Sequence, residues 1–362
     1  MTIKLELEPL LSEDIPSARP CIIAGPCSAE SEEQTLETAR ELSKIGIKIY
    51  RAGVWKPRTR PNTFEGHGSK ALPWLKKVKE ETGMHVAVEV ANVKHVYEAL
   101  KAGIDILWLG ARTTANPFAV QEIADTLKGV DIPVLVKNPI NPDIELWLGA
   151  IERLNIAGIK KLAAIHRGFS IYEKSVYRNN PQWQVPIELK RRIPELPLFC
   201  DPSHICGSKE KIYEISQEAM DLNFDGLIIE SHIHPEKALS DAQQQLTPKE
   251  LDDILKKLII RKPKAENGSI VTLEELRAEI DMIDDNVMDI FEKRMKIADQ
   301  IGKYKKEKNI AILQTIRWGE ILHKRLEMGE NKGLSSEFIE IIFKAIHQES
   351  INHQNKIMNE DI

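Results

Sequence analysis

The sequence predicts an α/β protein: a (β/α)8 TIM barrel followed by a small all-α helical domain. Three observations predict it. Eight short β-branched or apolar runs alternate with amphipathic stretches up to about residue 260, a polar segment follows, and beyond it no strand-like run returns. A doubly wound open sheet would more often show fewer strands and a Gly-rich nucleotide turn, which is absent here.

The predicted strands are CIIAG (21–25), IKIYRAG (47–53), HVAVEV (85–90), ILWLG (106–110), PVLVKN (133–138), KLAAIHRG (161–168), PLFCD (197–201) and GLIIES (226–231). Helix starts are marked by capping boxes at SEEQ (31–34) and TPKE (247–250), and by proline at a first helical position after Asn116 and Asn141. RKPKAENGSI (261–270), with Pro263 and Gly268, reads as a linker. Three helical stretches follow, from about 272, near 312–329 and from about 335, the first capped by TLEE (272–275). The expected domains are 1–260 and 272–362, joined by 261–271.

A length of 362 residues suits two such domains, each with its own core. The formal net charge of -5 supplies no basic stripe for nucleic acid, and no apolar run is long enough to cross a bilayer. Four cysteines, with no cleavable apolar leader after Met1, point to a reducing cytoplasm in which each thiol is core, nucleophile or metal ligand.

In a barrel the chemistry collects at the carboxyl ends of the strands. Cys27 follows the first strand at a turn expected to be exposed. Arg51, Lys56 and Arg58 follow the second, Glu89 ends the third, Arg112 follows the fourth, Lys137 the fifth, and His166 and Arg167 the sixth. Asp201 and His204 follow the seventh, Glu230 and His232 end the eighth, and Asp241 lies in the loop beyond. Any one Arg or Lys in a loop is more often a solvated charge, and a lone His a hydrogen-bonded bystander. The collection departs from that expectation: cations crowd the strand ends from the second to the sixth, a positive bowl unless anions fill it.

Closure makes strands seven, eight and one neighbours, so Cys27, Glu230, Asp241 and either His204 or His232 converge. A thiolate, an imidazole and two carboxylates suit a divalent ion such as Mn, Fe, Co or Zn better than Mg or Ca. Spacing alone does not choose between the histidines. A metal beside two cation groups points to phosphorylated, carboxylated small molecules that are joined or split.

AGPCSAE (24–30), KPRT (56–59), GARTT (110–114), DPSH (201–204) and ESHIHPEKALSDAQQQL (230–246) together resemble DAHP (3-deoxy-D-arabino-heptulosonate 7-phosphate) synthase of the type Iβ group, over about residues 20–260. The resemblance implies condensation of phosphoenolpyruvate with erythrose 4-phosphate. It implies a metal on Cys27, His204, Glu230 and Asp241, which settles the histidine choice. It implies that Arg51, Lys56, Arg112, Lys137 and Arg167 hold phosphoenolpyruvate with Glu89 nearby, and that Arg58 and Thr59 take the aldose phosphate. Lys137 and Asp201 are the proton carriers expected from their chemistry. A sister activity making an eight-carbon octulosonate phosphate shares the barrel, but the intact KPRT turn argues against it.

In the tail, Leu273, Leu276, Ile280, Ile283, Val287, Ile290, Ile297 and Ile301 keep a three-four spacing in which the position between Ile290 and Ile297 is Arg294. A charge in an apolar seam is costly unless paired. Lys305 lies on nearly the same face. Ile342, Ile346, Ser350 and Gln354 step by four from apolar to polar, which suggests a carboxylate pocket. With Arg277 and Arg317, these positions resemble the all-helical class of chorismate mutase over 272–358. That resemblance implies an intertwined homodimer with Arg277 entering the partner's site; a higher homo-oligomer built from such dimers is compatible with it. It also implies that Arg294, Lys305, Arg317, Ser350 and Gln354 complete the site locally, and that chorismate rearranges to prephenate there. Arg294, Lys305 and Gln354 are the residues expected to stabilise the reacting ether.

Trp318 and Gln314 stand where simple bacterial members have acids. Trp318 favours an alternative, in which the tail is chiefly a prephenate-sensing module with weak mutase activity. About twenty residues precede the first strand, too few for the small regulatory domain many relatives carry there, so the tail is expected to supply feedback inhibition by prephenate.

Overall fold

The computed structural model describes residues 3–10, 19–56, 63–172, 175–261 and 270–359. Arg58, Thr59 and most of the expected linker lie outside the described residues. The chain divides into two compact units, Met1–Pro263 and Lys264–Ile362.

In the first unit the strands are β1 (Cys21–Gly25), β2 (Ile49–Arg51), β3 (His85–Val90), β4 (Ile106–Leu109), β5 (Val134–Lys137), β6 (Leu162–His166), β7 (Leu198–Cys200) and β8 (Gly226–Glu230). They form a closed parallel barrel in sequence order. β1 seals it against β8, with Ile23 opposite Ile228 and Gly25 opposite Glu230. Every predicted run holds one strand, trimmed where the chain turns away from its neighbour.

Side chains alternate across a strand, so each one builds two cores. Ile23, Ile49, Ala87, Trp108, Leu135, Ile165, Phe199 and Ile228 fill the interior, together with Leu10 from the amino-terminal segment. Ala24, Tyr50, Val88, Leu107, Val136, Ala164, Cys200 and Ile229 face the surrounding helices. The interior phase, carried to the carboxyl ends, reaches Gly25, Arg51, Glu89, Lys137, Arg167, Asp201 and Glu230. Gly25 has φ 150°, and a Cβ there would lie 2.1 Å from the Arg51 carbonyl oxygen, so only glycine lets β1 approach β2 at this level.

The helix starts differ in detail from the sequence reading. Thr247 and Glu250 form a complete capping box, and Asn116 caps the helix that begins at Pro117. Ser31 accepts from the Gln34 amide, but Gln34 reaches the Glu30 amide instead of returning to Ser31, so that box is half made. Pro142 is not a first helical residue. Asp143 caps the helix Ile144–Ile156, because its carboxylate accepts from the Leu146 N–H.

The second unit contains the helices Ile270–Glu307, Thr315–Glu330 and Ser336–Asn359. The first already runs from Ile270, so Thr272 sits inside its opening turn; that side chain lies outside the described ones. The last helix packs against both others. Residues 273–290 of the first are all exposed, including the apolar row Leu276, Ile280, Ile283, Val287 and Ile290.

Candidate active sites

The barrel mouth gathers the inward-phase residues. Cys27 is completely buried rather than exposed, because the loops after β1 and β8 close over it. Its Sγ lies 3.3 Å from Asp241 Oδ2 and 2.9 Å from Lys56 Nζ. Ligand atoms of Cys27, Glu230 and Asp241 all fall within 4.8 Å of one another. His204 Nε2 stands 3.7 Å from Glu230 Oε1, whereas His232 turns aside to Glu30 Oε2 at 3.6 Å. The strand ends at Glu230, so strand alternation no longer aims His232 at the mouth.

A thiol, two carboxylates and an adjacent imidazole form a donor set that fits a divalent ion with some affinity for sulfur. Burial, reinforced by Glu230, pushes the Cys27 thiol up to about 12. Such a thiol ionises readily only beside a bound cation. Burial also opposes ionisation of Glu230, but His204, Arg51 and Lys56 outweigh it and hold that carboxyl below its ordinary value. Asp241 is likewise held low, with Arg178 and His204 overcoming its burial.

The expected bowl of cations is a mosaic. Arg51 is buried against Glu230 at 2.9 Å, and Lys137 against Asp201 at 2.7 Å. Asp201 also accepts from the His204 amide at 3.1 Å and approaches His204 Nδ1 at 2.8 Å. Burial works against the Asp201 charge, yet His204 and Lys137 prevail and hold its carboxyl well below the usual range. Trp108 Nε1 donates to Glu89 at 3.1 Å, and the Arg51 guanidinium lies 5.0 Å from the Trp108 ring centre. A cavity of about 190 Å³ remains, lined by Lys56, Glu89, Arg112, Lys137, Arg167, Arg178, His204 and Asp241 among others. Burial, with Arg178 and Arg112 nearby, brings Arg167 down to about 10 despite Asp201, and in such a field an anion is favoured.

Two features were not anticipated. His166 has the outward phase, and its ring lies among Trp147, Phe169, Trp183 and Phe224 instead of at the mouth. Arg178, from the loop after β6, donates to Asp241 at 3.1 Å and to Gln244 at 2.9 Å, and Gln244 donates to Glu230 at 2.7 Å. Arg178 lies in a run without strand or helix periodicity, so no spacing signalled it. Gln244 lies within the 230–246 motif but carried no chemistry of its own.

In the tail, Arg294, Lys305, Arg317, Ser350 and Gln354 line one cavity of about 400 Å³ with Gln314, Trp318 and His347. None of its lining residues is acidic among the described residues. Arg294 donates to Ser350 Oγ, and Lys305 donates to the Ile312 carbonyl at 2.6 Å. Burial lowers both cations, Arg294 further through Arg325. Trp318 meets His347 edge to face at 4.0 Å. Arg277 does not join this cavity within the chain; it is exposed and pairs with Glu274 at 2.7 Å.

Residues 16–264 match the DAHP synthetase I family, and residues 276–355 match chorismate mutase type II. The phospho-2-dehydro-3-deoxyheptonate aldolase of Thermotoga maritima is 36% identical over 240 residues, 66% of this chain and 69% of that protein. A 2-dehydro-3-deoxyphosphooctonate aldolase of Geobacter metallireducens is 30% identical over 261 residues, 67% of this chain and 92% of that protein. The crystal structure of the Thermotoga maritima heptonate enzyme is similar with a TM-score of 0.60 and 33% identity, across 66% of this chain and 68% of that one. No helix among the described residues is long and apolar enough to cross a membrane. The chain is thus an enzyme of the DAHP synthetase I family, its transferase barrel followed by an isomerase domain of the chorismate mutase type II family.

Proposed function

We propose that the barrel condenses phosphoenolpyruvate with erythrose 4-phosphate in a metal-dependent reaction, and that the helical unit converts chorismate to prephenate. The observation that carries the first part is the convergence of Cys27, Glu230, Asp241 and His204 beside a cavity lined with cations. Those four residues would hold a divalent Mn, Fe, Co or Zn ion. When bound, the ion supplies Lewis-acid polarisation of the sugar aldehyde.

The chain's own residues do the rest. Lys56, Arg112, Lys137 and Arg167, supported by Arg51, hold phosphate and carboxylate in the orientation that brings carbon 3 of phosphoenolpyruvate to the aldehyde carbon. Glu89 lies beside them, and Arg58 with Thr59 takes the aldose phosphate. Lys137 Nζ and Asp201 form the proton path, in which Asp201 keeps His204 oriented through Nδ1. Water adds at carbon 2, and inorganic phosphate leaves. Phosphate release on mixing the two substrates tests this reading, with the four-carbon aldose phosphate as substrate and a five-carbon one, which would yield the octulosonate, as competitor.

In the tail, a pericyclic rearrangement needs no general base. Arg294, Lys305 and Arg317 hold the chorismate dianion, while Ser350 and Gln354 supply polar contacts. The exposed row from Leu276 to Ile290 supports pairing with a second copy, which would bring Arg277 of the partner subunit into the site. The acid-free cavity with Trp318 at its wall supports the second reading, a prephenate sensor with weak turnover. Prephenate is the effector expected to inhibit the barrel, and such coupling is reciprocal in binding. Free thiols and the biosynthetic substrates support a cytoplasmic enzyme. Chorismate loss by a folded fragment, residues 262–362, separates catalyst from sensor: no rate above buffer leaves only the sensor.

A further inference from the structure

Cys27 and Asp241 lie on two different loops, and Asp241 adopts φ 49° and ψ 38°, a left-handed conformation that Asp enters more readily than most residues and that local hydrogen bonds stabilise. Such bonds are present. Gln245, completely buried, accepts from the Cys27 N–H at 2.8 Å and donates to the Ser240 carbonyl at 2.9 Å. One side chain therefore ties the backbone of the first donor to the residue preceding the second. Ser28 and Ser240, each a chain neighbour of a donor, are joined through their hydroxyls. Glu30 Oε1 then accepts from Ser28 Oγ at 3.1 Å and from the Leu239 N–H at 2.8 Å.

We propose that Gln245 and the Ser28–Ser240 pair are positioning residues that fix the separation of Cys27 from Asp241 before a metal arrives, and so set its affinity and ligand geometry. The inference rests on the metal reading above. Two untied loops would have to be ordered at the moment of binding, and the entropy lost would weaken the site. Partners one layer behind metal ligands commonly change affinity about 10–100-fold.

The test strips the full-length protein of metal and titrates it with Co(II), following the thiolate-to-cobalt charge-transfer absorption together with thermal unfolding. Gln245→Met keeps the length of the side chain and loses both bonds without placing a charge beside the metal donors. Ser28→Ala and Ser240→Ala remove the hydroxyl pair with little change of volume. Each variant is expected to bind Co(II) about 10–100-fold more weakly, with the unfolding midpoint of the metal-free protein unchanged in the serine variants and the double serine variant no worse than either single one. Unchanged Co(II) affinity overturns the proposal. So does weaker binding that merely tracks a lowered midpoint in all three variants. If wild type binds Co(II) without a thiolate band, or Cys27→Ala retains that band, the metal reading itself falls; a normal wild-type band with unaffected variants defeats only the positioning role.

Discussion

The two sites hold their charges differently. In the barrel, Arg51 is buried against Glu230 and Lys137 against Asp201, so each of these charges has its partner within the fold. In the tail, Arg294, Lys305 and Arg317 line a larger cavity without an acid among its lining residues, next to a helix whose first half is exposed. The described barrel donors all come from one chain, whereas the tail site is completed, on our reading, by a second copy.

The sharpest way to break the comparison is Cys27→Ala. It should abolish metal-dependent phosphate release while chorismate turnover stays as in wild type; retained synthase activity removes the thiolate from the account. Arg294→Ala should do the reverse, lowering mutase kcat/KM roughly 10²–10³-fold, the scale of a lost charge-stabilising donor. Synthase turnover without prephenate should be unaffected, and an equal fall in both activities would contradict separate sites.

Ile283→Asp probes the second copy. A charge in the exposed apolar row should shift the sedimentation profile to smaller species and reduce mutase activity by removing the partner's Arg277, whereas an unchanged profile removes the dimer from the account. Gly110→Ala is a subtler intervention in the barrel. Its new Cβ would lie 2.1 Å from Glu89 Oε1, so the Glu89 carboxylate must move. A raised KM for phosphoenolpyruvate is expected, and wild-type kinetics would show that Glu89 has no part in binding.

The smallest expected effect concerns stability against pH. Burial holds His166 down to about 3 from an ordinary value of 6.5. Its folded form resists a proton that the unfolded chain accepts, so the stability it contributes is full above 6.5 and falls as pH drops towards 3. The loss is at most about 1.4 kcal/mol per pH unit for one proton. His166→Gln should flatten the pH dependence of barrel unfolding in that window, and an unchanged slope would place the sensitivity elsewhere.

Strand periodicity carried most of the barrel site in the sequence. Once eight runs are placed and closed, alternation alone sends Arg51, Glu89, Lys137, Asp201 and Glu230 inward, because side-chain direction is a local property of a strand. The same rule puts His166 outside, and proximity to a strand end was a poorer guide than phase. What lay beyond the strands was harder to read. The burial of Cys27, the turn of His232 towards Glu30 and the reach of Arg178 all depend on loops, whose course no local pattern dictates. In the tail, a four-residue step found Ser350 and Gln354, since helix faces are also local, while the exposure of the apolar row from Leu276 to Ile290 was not legible from spacing.

The most direct test of the barrel's role is phosphate release from phosphoenolpyruvate with erythrose 4-phosphate, measured after chelation and again as Mn, Fe, Co or Zn is restored singly. The account predicts that chelation silences the reaction, that at least one of these ions restores it, and that a five-carbon aldose phosphate is a poor replacement. Full turnover in the chelated protein, or a preference for the five-carbon sugar, would contradict it.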